Sequence, residues 1–137
     1  MRNKTRIPWN DYFLDIARIV SKRATCLRAS VGAILVKDHR IIATGYNGSL
    51  PGAPHCLDEG CIIVKTNGTD HCVRTVHAEV NAVTQAARHG IATEGATLYE
   101  WDSGGRERAC DDCDKAIQSA GIIATVVGGP NGTRHST

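Results

Sequence analysis

His77-Ala78-Glu79 and Cys110-Asp111-Asp112-Cys113 supply one imidazole, two thiols and a carboxylate at spacings that suit a metal centre. Imidazole nitrogen and thiolate sulfur are donors that Zn2+ takes in a tetrahedron, and three protein ligands leave the fourth position for water. Water held there loses a proton near neutral pH and becomes a nucleophile. The expected ligands are therefore His77, Cys110 and Cys113, with Glu79 left over to move protons. A helix beginning near Val76 swings the Glu79 carboxylate roughly 200° from the His77 imidazole, at about 100° per residue. On that geometry the two act together only across a bound substrate. Taken alone, Cys110-x-x-Cys113 also fits a structural zinc knuckle or a redox pair. Glu79 alone fits a first-turn acid that complements a helix dipole. Together they favour a catalytic metal.

A second set of donors, Cys26, Cys56, Cys61, His71 and Cys72, offers five candidates for a four-ligand structural site, and the sequence leaves open which one is omitted. Six cysteines in 137 residues would suit a disulfide framework in a secreted chain. The opening Met-Arg-Asn-Lys-Thr-Arg leads to no apolar signal segment, so a reducing, cytoplasmic setting and metal ligation are expected instead. No apolar run approaches the length of a membrane span. The balance of 16 basic against 14 acidic residues leaves a formal charge of +2, which argues against a nucleic-acid backbone as the main partner. A small, phosphorylated substrate fits better. His39, His55, His89 and His135 are expected to be exposed and uninvolved, and Tyr46 to pack at a strand end.

These side chains must be positioned by a chain of one domain's size. Trp9 to Lys22 places Tyr12, Phe13, Ile16, Ile19 and Val20 at helical spacing, with Asn10 as N-cap. Val31 to Val36 and Ile41 to Tyr46 form a β-hairpin around Lys37-Asp38-His39-Arg40. Residues 47–75, with Gly45-Tyr46-Asn47-Gly48 at their head and Pro51-Gly52-Ala53-Pro54 within, read as irregular chain, and a loop this long needs something to hold it. The cysteines inside it supply that role. Helical periodicity returns over His77 to His89 and is stopped by Gly90. Ala96 to Trp101 is a third strand, Asp111 to Ser119 a helix closed by Gly121, and Ile122 to Val127 a fourth strand. Strand-helix-strand at this length predicts a parallel pair. The order is α-β-β-α-β-α-β, a mixed sheet flanked by helices, with residues 128–137 as a polar tail. His77 and Glu79 open one helix and Cys110 and Cys113 another, so two positive helix ends face the thiolates.

With H-x-E followed by C-x-x-C in hand, the chain resembles the deoxycytidylate (dCMP) deaminases of the zinc-dependent cytidine deaminase superfamily. The likeness runs from Trp9 to about Gly121. It includes Ser21-Lys22-Arg23-Ala24-Thr25-Cys26, Val31-Gly32-Ala33, Thr44-Gly45-Tyr46-Asn47-Gly48 and His71-Cys72-Val73-Arg74-Thr75-Val76-His77-Ala78-Glu79, and it is greatest with the bacterial and phage branch. The resemblance implies a three-layer cytidine-deaminase-like fold, hydrolysis of dCMP to dUMP with loss of ammonia, and two zinc ions per chain, one catalytic and one structural. It also implies that Glu79 protonates N3 of cytosine and then helps ammonia leave, that Asn47 contacts the sugar, and that the Ala78 backbone meets the base carbonyl. A homo-oligomer is expected. Phosphate needs cationic donors, for which Arg28 and Arg74 are the candidates near the site.

Two departures from the family pattern stand out. Glu100 to Ala109 is about five residues longer than the usual Thr-x-x-Pro approach to the cysteines, and Ala109 replaces the proline. Its glycines and paired Arg106 and Arg108 suggest a flap able to reach an anionic substrate. The chain is also C-terminally short beside many relatives. Competing readings are a deaminase of dCTP or of a 5-substituted dCMP, a deaminase of a base within nucleic acid, and a non-catalytic zinc module.

Overall fold

A computed structural model describes residues 5–50, 52–66, 68–72, 74–105, 111–132 and 134–136. Its first helix, α1 (Trp9–Ser21), buries Phe13, Leu14, Ala17 and Ser21 along one stripe. The expected Asn10 cap is not used. Pro8 occupies the N-cap position, where a residue without an N–H loses nothing, and its carbonyl accepts the Tyr12 N–H at 2.9 Å. Asn10 lies inside the first turn and accepts the Tyr99 hydroxyl at 2.8 Å instead.

The hairpin is β1 (Val31–Lys37) with β2 (Arg40–Tyr46). Asp38 and His39 turn the chain with φ of 52° and 60°, the left-handed pair that matches the twist of a two-residue hairpin. The remaining long strands are β7 (Thr97–Asp102) and β8 (Ala124–Gly128), parallel to each other and joined through α4 (Asp111–Ser119). Before them comes α3 (Ala78–Arg88). A further strand, β9 (Arg134–Ser136), pairs antiparallel with β8, so the expected polar tail supplies the far edge of a five-stranded sheet in the order β2-β1-β7-β8-β9. The stretch 47–75, expected to be irregular, holds small elements. These are β3 (Gly48–Ser49) paired with β6 (Thr75–Val76), a single turn α2 (Cys56–Glu59), and the hairpin β4 (Ile63–Thr66) with β5 (Thr69–Cys72).

Strand alternation divides the core into two layers. Ile34, Val36, Tyr99 and Val126 meet Phe13 and Leu14 of α1 on one face. Val31, Ala33, Leu35 and Leu98 meet Ala78, Ala82, Ala86, Cys113 and Ile117 of α3 and α4 on the other. Three alanines at helical spacing give α3 a flat face, and Gly45 gives β2 one to receive it. A methyl group on Gly45 would lie 2.4 Å from the Ala82 nitrogen and 2.5 Å from the Ala78 carbonyl oxygen. Helix and strand therefore touch backbone to backbone beside the first turn of α3.

Burial pushes the Tyr99 phenol above its ordinary value. An unfolded chain ionises this tyrosine first as pH climbs past about 10, so its contribution to stability holds below that pH and declines above it. Tyr99→Phe is expected to lower stability by about 1 kcal/mol through the lost bond to Asn10 and to flatten the alkaline limb of Tm against pH. An unchanged alkaline limb in that variant would assign the pH dependence elsewhere.

Candidate active site

His77 is the N-cap of α3, with φ −67° and ψ 152°. That extended backbone changes the geometry expected from a continuous helix. The imidazole and the Glu79 carboxylate do not diverge around the helix but converge. The ligand atoms of His77, Glu79 and Cys113 all lie within 4.8 Å of one another, the one such group of three among the described residues. His77 Nδ1 and Cys113 Sγ are 3.0 Å apart. One ion with bonds of about 2.0–2.1 Å to nitrogen and 2.3 Å to sulfur can span that separation. Cys113 and Glu79 are 2% and 1% exposed, so the donors sit where water is excluded around them. Cys110, the third expected ligand, lies outside the described residues, as do Arg106, Arg108 and Ala109.

The helix ends supply the electrostatics. His77 makes no side-chain cap bond, and the first amides of a helix have no partner within it. The N-terminal turn of α3 therefore brings a positive dipole end near the carboxylate and thiol. Cys113 occupies the first turn of α4, whose positive end adds to the same field. Ala78, whose backbone was expected to meet the base, is the first helical residue and is 1% exposed.

Asn47 is fastened from several directions. Its Oδ1 accepts the Val31 N–H at 2.9 Å, its Nδ2 donates to the Ala29 carbonyl at 2.8 Å, and its backbone bonds Val31 and Thr25. The side chain thus shapes the rim between β2 and β1. Arg28 donates to the Asp70 carbonyl at 3.2 Å. Arg74 donates to the Gly60 carbonyl at 2.9 Å and stands 4.0 Å from Glu59. Both arginines hold parts of the cysteine-bearing loop.

Cys26 and Cys61 are half-buried, and the backbone strand that includes His71 and Cys72 is β5. The Leu57 N–H donates to the Thr25 carbonyl at 3.2 Å, bringing the segment with Cys26 against α2 with Cys56. Cys56 is fully buried. His55, expected to be exposed, is half-buried, and its Nδ1 has no hydrogen-bond partner among the described residues. His39 is exposed but stacks on Trp9, with ring centroids 4.2 Å apart, and His89 is exposed at the end of α3.

Sequence reasoning missed Glu100 and Asp102 as buried groups. It ended the third strand at Trp101 and began an insertion at Glu100, whereas β7 runs through Asp102, with Glu100 and Asp102 each 1% exposed. By alternation from Leu98 they sit on the face toward α3 and α4. Asp102 Oδ1 accepts the Gly104 N–H at 2.7 Å, and Ser103 exchanges bonds with Ser30 through its N–H and its hydroxyl. The loop thus leaves the sheet tied to the same rim that Asn47 shapes. Nothing in the residue types of 97–102 marks the two acids as buried, because charged side chains ordinarily stay exposed.

A three-layer α/β frame thus brings a histidine, a buried carboxylate and a cysteine together at two helix ends, a group that could hold a metal ion. Residues 7–129 match the family model for the cytidine and deoxycytidylate deaminase zinc-binding region, and the chain belongs to that family. ComE operon protein 2 of Bacillus subtilis (strain 168) is 46% identical over 117 residues, covering 85% of this chain and 57% of that protein. The deoxycytidylate deaminase of Mycobacterium phage D29 is 36% identical over 130 residues, covering 89% of this chain and 95% of that enzyme. The chain thus spans about half of the first of these relatives and nearly all of the second. The crystal structure of dCMP deaminase from cyanophage S-TIM5 in complex with dCMP and dUMP superposes with a TM-score of 0.72 at 27% identity, covering 92% of this chain and 85% of that one. No described helix is long and apolar enough to cross a membrane.

Proposed function

We propose that this chain acts as one hydrolytic, zinc-dependent deaminase domain that converts dCMP and water to dUMP and ammonia. The observation that carries the reading is the convergence of His77, Glu79 and Cys113 at two helix N-termini. A relative covered over 95% of its length is a deoxycytidylate deaminase, which supports the same substrate. His77 and Cys113, with Cys110, would hold the catalytic zinc. When bound, zinc lowers the pKa of a coordinated water so that it can attack at neutral pH. Glu79 takes a proton from the attacking water and delivers it to N3 of cytosine. The C4–O bond forms, and the same carboxylate then takes the remaining proton from the oxygen added at C4 and passes it to the departing amine as the C4–N bond breaks, leaving the C4 carbonyl of dUMP. The Ala78 N–H would meet the base carbonyl and Asn47 the sugar, through hydrogen-bonding capacity beyond that spent on Val31 and Ala29. Ammonia release across dCMP, dCTP, 5-substituted dCMP, deoxycytidine and single-stranded DNA tests the reading. The highest kcat/KM is expected for dCMP. Equal turnover of deoxycytidine, or turnover of DNA alone, would sink it.

Phosphate recognition is assigned to Arg106 and Arg108, with Arg28 and Arg74 as further candidates. Replacing Arg106 and Arg108 together by Ala is expected to raise KM for dCMP while leaving deoxycytidine unaffected, since a phosphate clamp acts only on a phosphate. If both substrates change alike, or neither does, the phosphate is held elsewhere.

A second, structural zinc is proposed from Cys26, Cys56, Cys61, His71 and Cys72, four of the five serving as ligands. The contacts of Thr25 with Leu57 and of Arg28 with Asp70 support it by gathering the segments that carry these donors. Metal analysis of reduced protein should give close to two zinc ions per chain. Cys56→Ser or His71→Ala should remove one ion and lower Tm more than it lowers kcat. Metal near one per chain in wild type would contradict the second site. A cytoplasmic setting and a homo-oligomer are proposed, the latter to be read from the solution mass against the 14.7 kDa chain.

A further inference from the structure

We infer that Asn81 is a positioning residue that locks the substrate-side rim to the metal-side helix, an inference that rests on the deaminase reading for its kinetic part. Asn81 lies one helical turn beyond His77 and donates its own N–H to the His77 carbonyl at 3.0 Å. Its side-chain Nδ2 donates to two further carbonyls, that of Tyr46 at 2.8 Å and that of Val76 at 3.4 Å. The first precedes Asn47 and the second precedes His77. One amide group therefore joins the peptides on which the rim residue and the histidine are hung.

Neighbouring contacts say why this tie has leverage. β2 is an edge strand, so its outward amides and carbonyls have no strand to pair with. α3 serves that edge with two side chains a turn apart. Gln85 Oε1 accepts the Thr44 N–H at 2.8 Å, and Asn81 serves the Tyr46 carbonyl. The Gln85 bond fixes α3 toward its C-terminal end, away from the site. The Asn81 bonds fix it where β3 and β6 pair, with Gly48 opposite Val76. The Asn81 amide nitrogen carries two hydrogens and so can serve both carbonyls. Aspartate there would set a carboxylate against them, and leucine would fill the volume without bonding either.

The test compares Asn81→Asp, Asn81→Leu and Gln85→Leu with wild type, using zinc-loaded protein. Both Asn81 variants are expected to keep the wild-type zinc content and to lose about 10- to 100-fold in kcat/KM for dCMP, as a reacting geometry displaced by about an ångström would. Gln85→Leu is expected to stay within about two-fold of wild type, because it removes a similar edge tie away from the site. Amide hydrogen exchange gives a readout that needs no substrate. Segments 46–49 and 75–78 should exchange faster in the Asn81 variants while β1 and β7 stay protected. Unchanged kcat/KM with a lowered Tm, equal kinetic loss in Gln85→Leu, or unchanged exchange at 46–49 and 75–78 would overturn the assignment. If wild type itself turns over no cytosine nucleotide, the deaminase reading fails, while the exchange experiment still decides whether Asn81 joins the two segments.

Discussion

Glu79→Ala is expected to leave zinc bound and to reduce deamination of dCMP by at least about 10²–10⁴-fold, the usual worth of a positioned acid–base group. Glu79 is buried to 1% exposure and within 4.8 Å of the His77 and Cys113 donor atoms, close enough to serve the water and too valuable there to be a mere helix-capping acid. An exposed first-turn carboxylate would be worth about 0.3–1 kcal/mol of helix stability and nothing in rate. The two roles are separated by zinc content. If His77, Cys110 and Cys113 are the ligands, the variant retains its catalytic metal while turnover stops. Glu79→Gln, which keeps the volume but cannot accept and return a proton, should behave alike. Loss of the metal along with activity would instead make Glu79 a ligand and undo this division of labour.

Gly45→Ala is expected to cost most of the activity without touching a reacting group. An exchange of glycine for alanine ordinarily adds about 0.4–1 kcal/mol of stability by restricting the unfolded chain. Here the added methyl would lie 2.4–2.5 Å from backbone atoms of Ala82 and Ala78, and overpacking of that kind costs about 1–3 kcal/mol or more. The clash wins, and α3 must lift from β2 at the turn that carries His77 and Glu79. Activity should fall by at least about 10²-fold, as expected for a displacement near an ångström. Gly32 offers the control. Its added methyl would meet the Ala17 and Ser21 backbone of α1, on the opposite face of the sheet. Gly32→Ala should therefore lower Tm while sparing kcat/KM in the molecules that remain folded. Equal kinetic loss at both glycines would point to general unfolding and not to displacement of α3.

The same contrast explains what could be read in the sequence. α1, the β1–β2 hairpin, α3, β7, α4 and β8 are long, periodic segments whose apolar spacing reports burial directly, and each lies within a few residues of its expected place. The site followed from them, because His77, Glu79 and Cys113 were already assigned to helix starts. The elements within 47–75 escaped because they are only two to four residues long, and β3 and β6 owe their form to pairing across the loop, as Gly48 does with Val76. β9 escaped for a related reason. Arg134-His135-Ser136 has no apolar alternation, and its strand exists through its ladder with β8. Asn10 was misplaced because the cap preference of asparagine competes with proline's fitness for the same end, and the asparagine had a tertiary partner in Tyr99. The convergence of Glu79 on His77 was hidden by a single backbone conformation. An extended N-cap places the histidine off the helical spiral from which the roughly 200° separation was derived.

The most direct measurement is to incubate zinc-loaded protein with dCMP in water enriched in 18O and to weigh the product while ammonia is assayed in parallel. Hydrolysis through a nucleophilic water at C4 predicts dUMP carrying one heavy oxygen on the base and one ammonia released per dUMP formed. No conversion of dCMP by protein that holds its catalytic zinc, or a dUMP-sized product without the label, would contradict the account.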